Sequence, residues 1–473
     1  MGHEIDGAAR GARPVDARPV KSRRTALRGA MTLAAVVSLG GGCTSPPKQE
    51  GPLDVRVTEL APEVLDQISA QVAERVDRDL AVRAAARGVA VAEVRAPAVR
   101  VVSAPAASRR SGAAKPVAPA SSPSDAELQD MKSSIGLALD WFARHQSPDG
   151  LWSAAGFAEQ CSGPHCSGAG EPAYDVGVTG LALLCFLGAG ETHQTGAHAA
   201  NVGRALDRLC ALQDAEGCIG KRSSQHFQYN HGYGALALVE AYGLTKSSKL
   251  REPAQRAVAF TLKSKNPYLG WRYNSPPDGD NDTSVTGLMV MVLRSAMLAG
   301  LEVEDVAFRD ARNWIDKMTE PEFGRTGYQQ RGGPPARTNE AMTRFPSDRS
   351  EALTAVGLSA RLFAGEKAGT SEMIGKGAAL LAARPPVWDE ASGSIDLYYW
   401  YWGTLAMSQV GGSGWEQWRA HLVKALPSHQ RRDTDRDARG SWDAIDAWST
   451  EGGRVYATAM ACLSSEIASR VVR

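Results

Sequence analysis

Four carboxylates in this chain could serve as a general acid and base: Asp282, Asp348, Glu351 and Asp396. A pair held about 5–10 Å apart in an open cleft would suit glycoside hydrolysis. His231, Asp282 and Asp396 are the candidates for catalysis at the starts of apolar runs, but no Cys lies among them, so zinc is not expected there. The other metal-like cluster is Cys161-Ser-Gly-Pro-His165-Cys166. Two Cys in a Gly/Pro loop of an oxidising compartment read as a disulfide ahead of a metal site. No metal and no cofactor is therefore expected. Aromatic residues gather in the same neighbourhoods: Tyr229, Tyr233, Trp271, Tyr273, Tyr398, Tyr399, Trp400, Tyr401, Trp402, Trp442 and Tyr456. Such walls hold cations, stack on sugars or grip apolar tails. Taken singly, each of these residues is accounted for by packing. Taken with His231, Arg272, Asp282, Asp396 and Arg454 beside them, they predict a ligand-binding cavity.

These residues recur because the elements that carry them recur. From about residue 126 an amphipathic helix, a turn rich in Gly and Asp, and a nearly all-apolar helix follow one another about six times. The landmarks Gly180, Gly234, Gly287, Gly357, Gly403 and Ala457 lie about 50 residues apart, with a longer gap holding Arg331 to Ser347. A helix apolar on all sides must be buried. Six hairpins solve this by closing a ring with the apolar helices inside, an all-α, α/α-toroid architecture. The aromatics then converge around one mouth. Ring closure makes the first and last inner helices neighbours, which predicts that Cys185 and Cys462 approach each other as a possible disulfide pair.

The first 125 residues read differently. Lys21, Arg23, Arg24 and Arg28 precede a short apolar run from Ala30 to Leu39, too short for a membrane span. It ends in Gly40-Gly-Gly-Cys43, which resembles a lipobox, with Leu39 one place early. Residues 1–43 are thus expected to be a lipoprotein-type export signal with Cys43 lipidated, a simple cleaved signal peptide being the alternative. Residues 44–125 form a Pro/Ala-rich, largely disordered linker with an amphipathic helix expected at 62–96. The domain proper spans 126–473. The chain carries 53 Lys+Arg against 52 Asp+Glu, so nothing in its charge points to a nucleic-acid partner.

Gln146-x-x-Asp149-Gly150-x-Trp152 resembles the Gln-Trp repeat of squalene–hopene and related terpenoid cyclases. With Tyr229-Asn-His231-Gly232, Gly270-Trp-Arg-Tyr273, Asp282-Thr-Ser-Val-Thr-Gly287, Asp396 to Gly403, Gly440-Ser-Trp442 and Gly452-Gly-Arg-Val-Tyr456, the region from about 130 to 470 resembles the bacterial prenyltransferase/squalene oxidase repeat proteins. The resemblance implies the toroid fold of terpenoid cyclases and protein prenyltransferases. It implies no activity. A cyclase of that type needs an Asp-x-Asp-Asp-Thr acid, and the matching place reads Gly279-Asp280-Asn281-Asp282-Thr283, with Asn281 where the acid should stand. Asp282 is expected to cap the helix that follows it.

The expected ligand set is Tyr229, His231, Trp271, Arg272, Tyr273, Asp282, Tyr398, Tyr399, Trp400, Arg454 and Tyr456. The leading expectation is an exported, membrane-tethered binding or scaffold protein that takes an apolar, peptide or glycan ligand at an aromatic mouth. An isoprenoid cyclase or transferase and a carbohydrate-active enzyme remain the alternatives.

Overall fold

The computed structural model describes residues 121–470 except 164, 224–225 and 433–436. The expected signal segment, Cys43 and the helix at 62–96 lie outside the described residues, as does nearly all of the linker. Among the described residues there are thirteen α-helices and, in place of strands, only isolated bridges.

Six helices are inner: α2 (Asp175–Gly188), α4 (Phe227–Thr245), α6 (Thr283–Ala299), α9 (Ala352–Phe363), α11 (Leu397–Val410) and α13 (Ser449–Ser469). They are buried round nearly their whole circumference; α9 is buried from end to end. Each packs on the next, and α13 packs on α2, so the ring closes. Six outer helices lie against them: α1 (Asp125–His145), α3 (Ala199–Ala211), α5 (Ser248–Lys263), α7 (Val306–Met318), α10 (Glu372–Ala382) and α12 (Gly412–Ala425). Each outer helix sits between its own inner helix and the preceding one, with α1 between α13 and α2. A short α8 (Asn339–Arg344) lies in the long gap before α9. The α/α toroid of six hairpins is therefore the observed fold.

The Gln-Trp motif works as a clasp. Gln146 Nε2 donates to Gly150 O within its own turn and to Asn201 O of α3, both at 2.9 Å. Gln213 repeats this toward Pro253 O of α5 at 3.0 Å, and Gln430 toward Ser134 O of α1 at 2.8 Å. Each glutamine thus ties one unit to the outer helix of the next, and Gln430 ties the last unit to the first. The tryptophans lock the radial direction. Trp152, Trp271 and Trp442 each donate Nε1 to an outer-helix or adjoining carbonyl at 2.7–2.8 Å. Their backbone N–H groups reach the inner-helix hydroxyls of Thr179, Thr286 and Thr458.

Cys185 and Cys462 do meet at the ring seam, with ligand atoms of Cys185, Cys462 and Glu466 all within 4.8 Å of one another. The expected bond is not made. Both are thiols, Cys185 donating to the carbonyls of Leu181 and Ala459, Cys462 toward Glu466 Oε1. Burial pushes the Glu466 carboxyl up to about 8. The Cys161–Cys166 bond is likewise absent from the structure, where both sulfurs face His145.

Candidate functional site

The N-terminal ends of the inner helices converge on one cavity, about 980 Å³ of space including its open mouth. Its wall is aromatic and aliphatic: Tyr174, Val178 and Leu181 from α2 and its approach, Tyr229 and Tyr233 from α4, Tyr273, Tyr328, Ala352 and Leu353, Tyr398 from α11, and Trp448 and Tyr456 from α13. Ala336, Arg337 and Thr338, from the stretch before α8, also line it.

The hydroxyls on this wall largely satisfy one another. Tyr229 donates to Ser284 Oγ at 3.0 Å, and Ser284 Oγ lies 2.6 Å from the Tyr398 hydroxyl. Tyr273 and Tyr328 share a short hydroxyl contact, and Tyr328 donates to Asp282 Oδ2 at 3.2 Å. His226 Nδ1 stands 3.0 Å from the Tyr174 hydroxyl, and its ring is 4.4 Å from that of Tyr273. Tyr456 is buried at 8% exposure and its OH has no hydrogen-bond partner.

Three acids, Asp282, Asp396 and Asp446, lie behind this wall. Asp282 caps α6, accepting from Val285 N at 2.8 Å, with the Arg272 guanidinium 3.6 Å from its other oxygen. It is fully buried, and burial drives its carboxyl up to about 7 against the pull of that N–H and of Arg272. Asp396 caps α11 through Tyr399 N at 2.9 Å, accepts from Ser350 Oγ at 2.8 Å, and is paired with Arg337 at 2.6 Å. Asp446, next to it in charge, accepts from Leu397 N at 3.2 Å and is also pushed up by burial to about 7. Among the described residues, Glu451 is the one carboxylate that lines the cavity itself. A pair of carboxylates facing an open cleft, as sugar hydrolysis would need, is not what the described lining offers.

Of the expected ligand set, Tyr229, Tyr273, Tyr398 and Tyr456 line the cavity. Arg272 stacks over the Tyr273 ring at 4.9 Å and flanks the wall from behind. The others serve the frame. His231 is wholly buried, with Ile219 N donating to Nδ1 and Nε2 2.9 Å from Thr261 Oγ1, and burial lowers it to about 3. Trp271 is a clasp residue, Tyr399 donates to Arg384 O, and Trp400 packs against Trp388. Arg454 stitches the first repeat's loop to the last, through Ser167 O at 2.7 Å and Asp443 at 2.6 Å. Glu351 is consumed by Arg325, and Asp348 is exposed. Asn281, in the cyclase acid's place, accepts from Gly270 N and donates to Gly279 O, holding the loop. Sequence reasoning missed Tyr174, His226, Arg337, Trp448 and the role of Tyr328.

The Asp282 carboxyl makes a pH prediction. In an unfolded chain it ionises near pH 4, whereas in the fold it keeps its proton to about 7. The folded state binds more protons through that window, so this site's contribution is fully present below about pH 4 and falls as pH rises toward 7. Asp282→Asn keeps the cap but removes the titration. Between pH 5 and 6.5 the variant should gain about 2 kcal/mol on the parent, read as a difference in urea-unfolding free energy. An unchanged difference would refute the assignment. The comparison must be between variants, because His145, His193, His226, His231 and His421 are all lowered by burial and act with the opposite sign.

No family model matches the chain, and no curated protein sequence matches it. Solved structures do resemble it in shape. A protein from Actinoplanes aligns at 14% identity over 72% of this chain and 100% of its own, with a TM-score of 0.47. The α-1,6-mannanase GH76A of Salegentibacter sp. HEL1_6 aligns at 9% identity over 73% of this chain and 98% of its own, with a TM-score of 0.46. The type II terpene cyclase MstE from Scytonema aligns at 15% identity over 73% and 98%, with a TM-score of 0.44. The closed ring itself is established by the contacts among the chain's own helices.

Proposed function

We propose that the chain is an exported binding protein, tethered through Cys43, whose toroid mouth takes an apolar ligand of isoprenoid type bearing one hydroxyl or carbonyl group. The observation that carries this reading is the wall: tyrosines and aliphatic side chains in front with Glu451 as their one carboxylate, Asp282 and Asp396 buried behind, and the Tyr456 hydroxyl left without a partner. Aromatic rings and short aliphatic chains take up apolar surface at about 25 cal/mol per Å². An unpaired hydroxyl in such a wall costs free energy until a ligand's polar group meets it. The terpenoid-cyclase resemblance of the repeats supports the isoprenoid class, and Asn281 in the acid's place supports binding over cyclisation.

Calorimetric titration with farnesol and, separately, mannotriose tests the class. Farnesol should bind and mannotriose should not; mannotriose binding displaced by nothing apolar would defeat the reading. In Tyr456→Phe, farnesol affinity should fall about five- to tenfold while unfolding resistance is kept or slightly raised, since an orphaned polar group has been removed. Equal affinity in parent and variant would remove Tyr456 from the site.

A further inference from the structure

Outside the cavity, His145, Cys161 and Cys166 bring one nitrogen and two sulfurs together, with all three atoms within 4.8 Å of one another. We propose that this cluster is a zinc site in which His145 Nε2 and the two cysteine sulfurs are the protein ligands.

The histidine is already set for the task. It is the last residue of α1 and is wholly buried, its ring stacked on Trp141 at 4.5 Å. Nδ1 lies 2.9 Å from the Trp141 carbonyl, which can only accept. The proton is therefore assigned to Nδ1, and Nε2 presents its lone pair. A carbonyl or carboxylate behind the ring, fixing the tautomer, is the usual support of a metal-bound histidine.

Nε2 points at both sulfurs, 3.6 Å from Cys161 Sγ and 3.9 Å from Cys166 Sγ. Tetrahedral zinc, with bonds of about 2.0 Å to nitrogen and about 2.3 Å to sulfur, places such atoms about 3.6 Å apart. Cys166 N donates to Cys161 Sγ at 3.3 Å, a bond that favours the thiolate a metal requires. The loop is held from the far side of the ring seam. Asp437 accepts from Ser162 N and Oγ, both at 3.1 Å, and from Gly163 N at 2.8 Å. Those bonds, led by the Ser162 backbone N–H, keep the Asp437 carboxyl below its usual range, so its negative charge stands near the site. Asp437 is spent on the loop, so the fourth position falls to a solvent molecule, and both cysteines are only partly buried. On binding, each thiol gives its proton to solvent and its sulfur pair to the ion. The seam cluster of Cys185, Cys462 and Glu466 offers no such case: it has no nitrogen ligand and would bury three negative groups together.

The full-length chain, reduced and stripped of metal, would be titrated with Zn2+ against a chromophoric chelator and with Co2+ by absorbance. One equivalent of each is expected, cobalt showing thiolate charge-transfer bands and the intense visible bands of a four-coordinate ion. Cys161→Ser and His145→Gln should weaken zinc at least tenfold. Cys218→Ser, which alters a thiol packed with Phe227 and Phe260, should leave it unchanged. Because His145 lies in the core, Cys161→Ser on the loop decides the matter should His145→Gln fail to fold. Reduced parent protein that holds zinc no better than Cys161→Ser would overturn the proposal. So would protein from its own host carrying a Cys161–Cys166 disulfide, read as a linked peptide after thiol blocking.

Discussion

Gly440→Ala is expected to lower the unfolding free energy by about 4 kcal/mol. Gly440 sits at φ +99°, a region that costs a side-chain-bearing residue about 1–3 kcal/mol. A Cβ there would lie 2.0 Å from the Leu137 carbonyl oxygen of α1, and a backbone atom inside a helix cannot step aside. Overpacking adds about 1–3 kcal/mol more. The same turn is clasped by Gln430 to Gly440 O at 2.9 Å and to α1, so the clash falls on the seam that closes the ring. Gly300→Ala separates the two causes. Gly300 also has a positive φ, +78°, but nothing lies within 4 Å of the added carbon. It should cost about 1 kcal/mol, from conformation alone. Denaturant unfolding of both variants checks this, and near-equal losses would show that the seam tolerates the carbon.

Arg337→Ala should cost about 3–5 kcal/mol. Arg337 and Asp396 are 2% and 3% exposed as side chains, paired at 2.6 Å, with the guanidinium over the Trp448 ring at 5.7 Å. Without it, a buried carboxylate keeps only Ser350 Oγ and a helix N-terminal N–H. Adding Asp396→Asn removes the stranded charge and preserves the cap, so the double variant should be more stable than Arg337→Ala alone. A double variant no better than the single would mean the loss comes from the loop's packing and not from the charge. The same change loosens this stretch of the cavity lining, because Arg337 Nε also holds the Phe345 carbonyl at 3.2 Å.

Much of the frame was legible because burial leaves a plain trace. Runs such as Val285 to Leu293 are apolar on every side, and the small residues at their centres let backbones meet: a Cβ on Gly180 would strike Tyr233 and Gly234 of the neighbouring inner helix. The Asp282 cap was legible from residue type and place. The site was less so, for angular reasons. Successive helix residues turn by about 100°, so Tyr229 and Tyr233 share the cavity face while His231 points almost the opposite way, to Thr261. By the same geometry Tyr398 faces the cavity while Tyr399 and Trp400 turn outward to the frame. Arg337 was illegible because the stretch around it breaks the repeat, and no period says where a residue there will point. The cysteine loop shows the limit of spacing alone: its partner His145 belongs to a different element, brought there by the fold.

The glutamine clasps carry a consequence for why the ring closes at all. Gln146 reaches a partner 55 residues along the chain, whereas Gln430 reaches one 296 residues back. Loop-closure entropy grows only with the logarithm of length, so the last junction costs about 1.5 kcal/mol more than an ordinary one. An open stack of the same six units would leave the apolar flanks of α2 and α13 facing water and would require a polar cap at each end. Closure spares this chain both caps: its first unit and its last terminate one another.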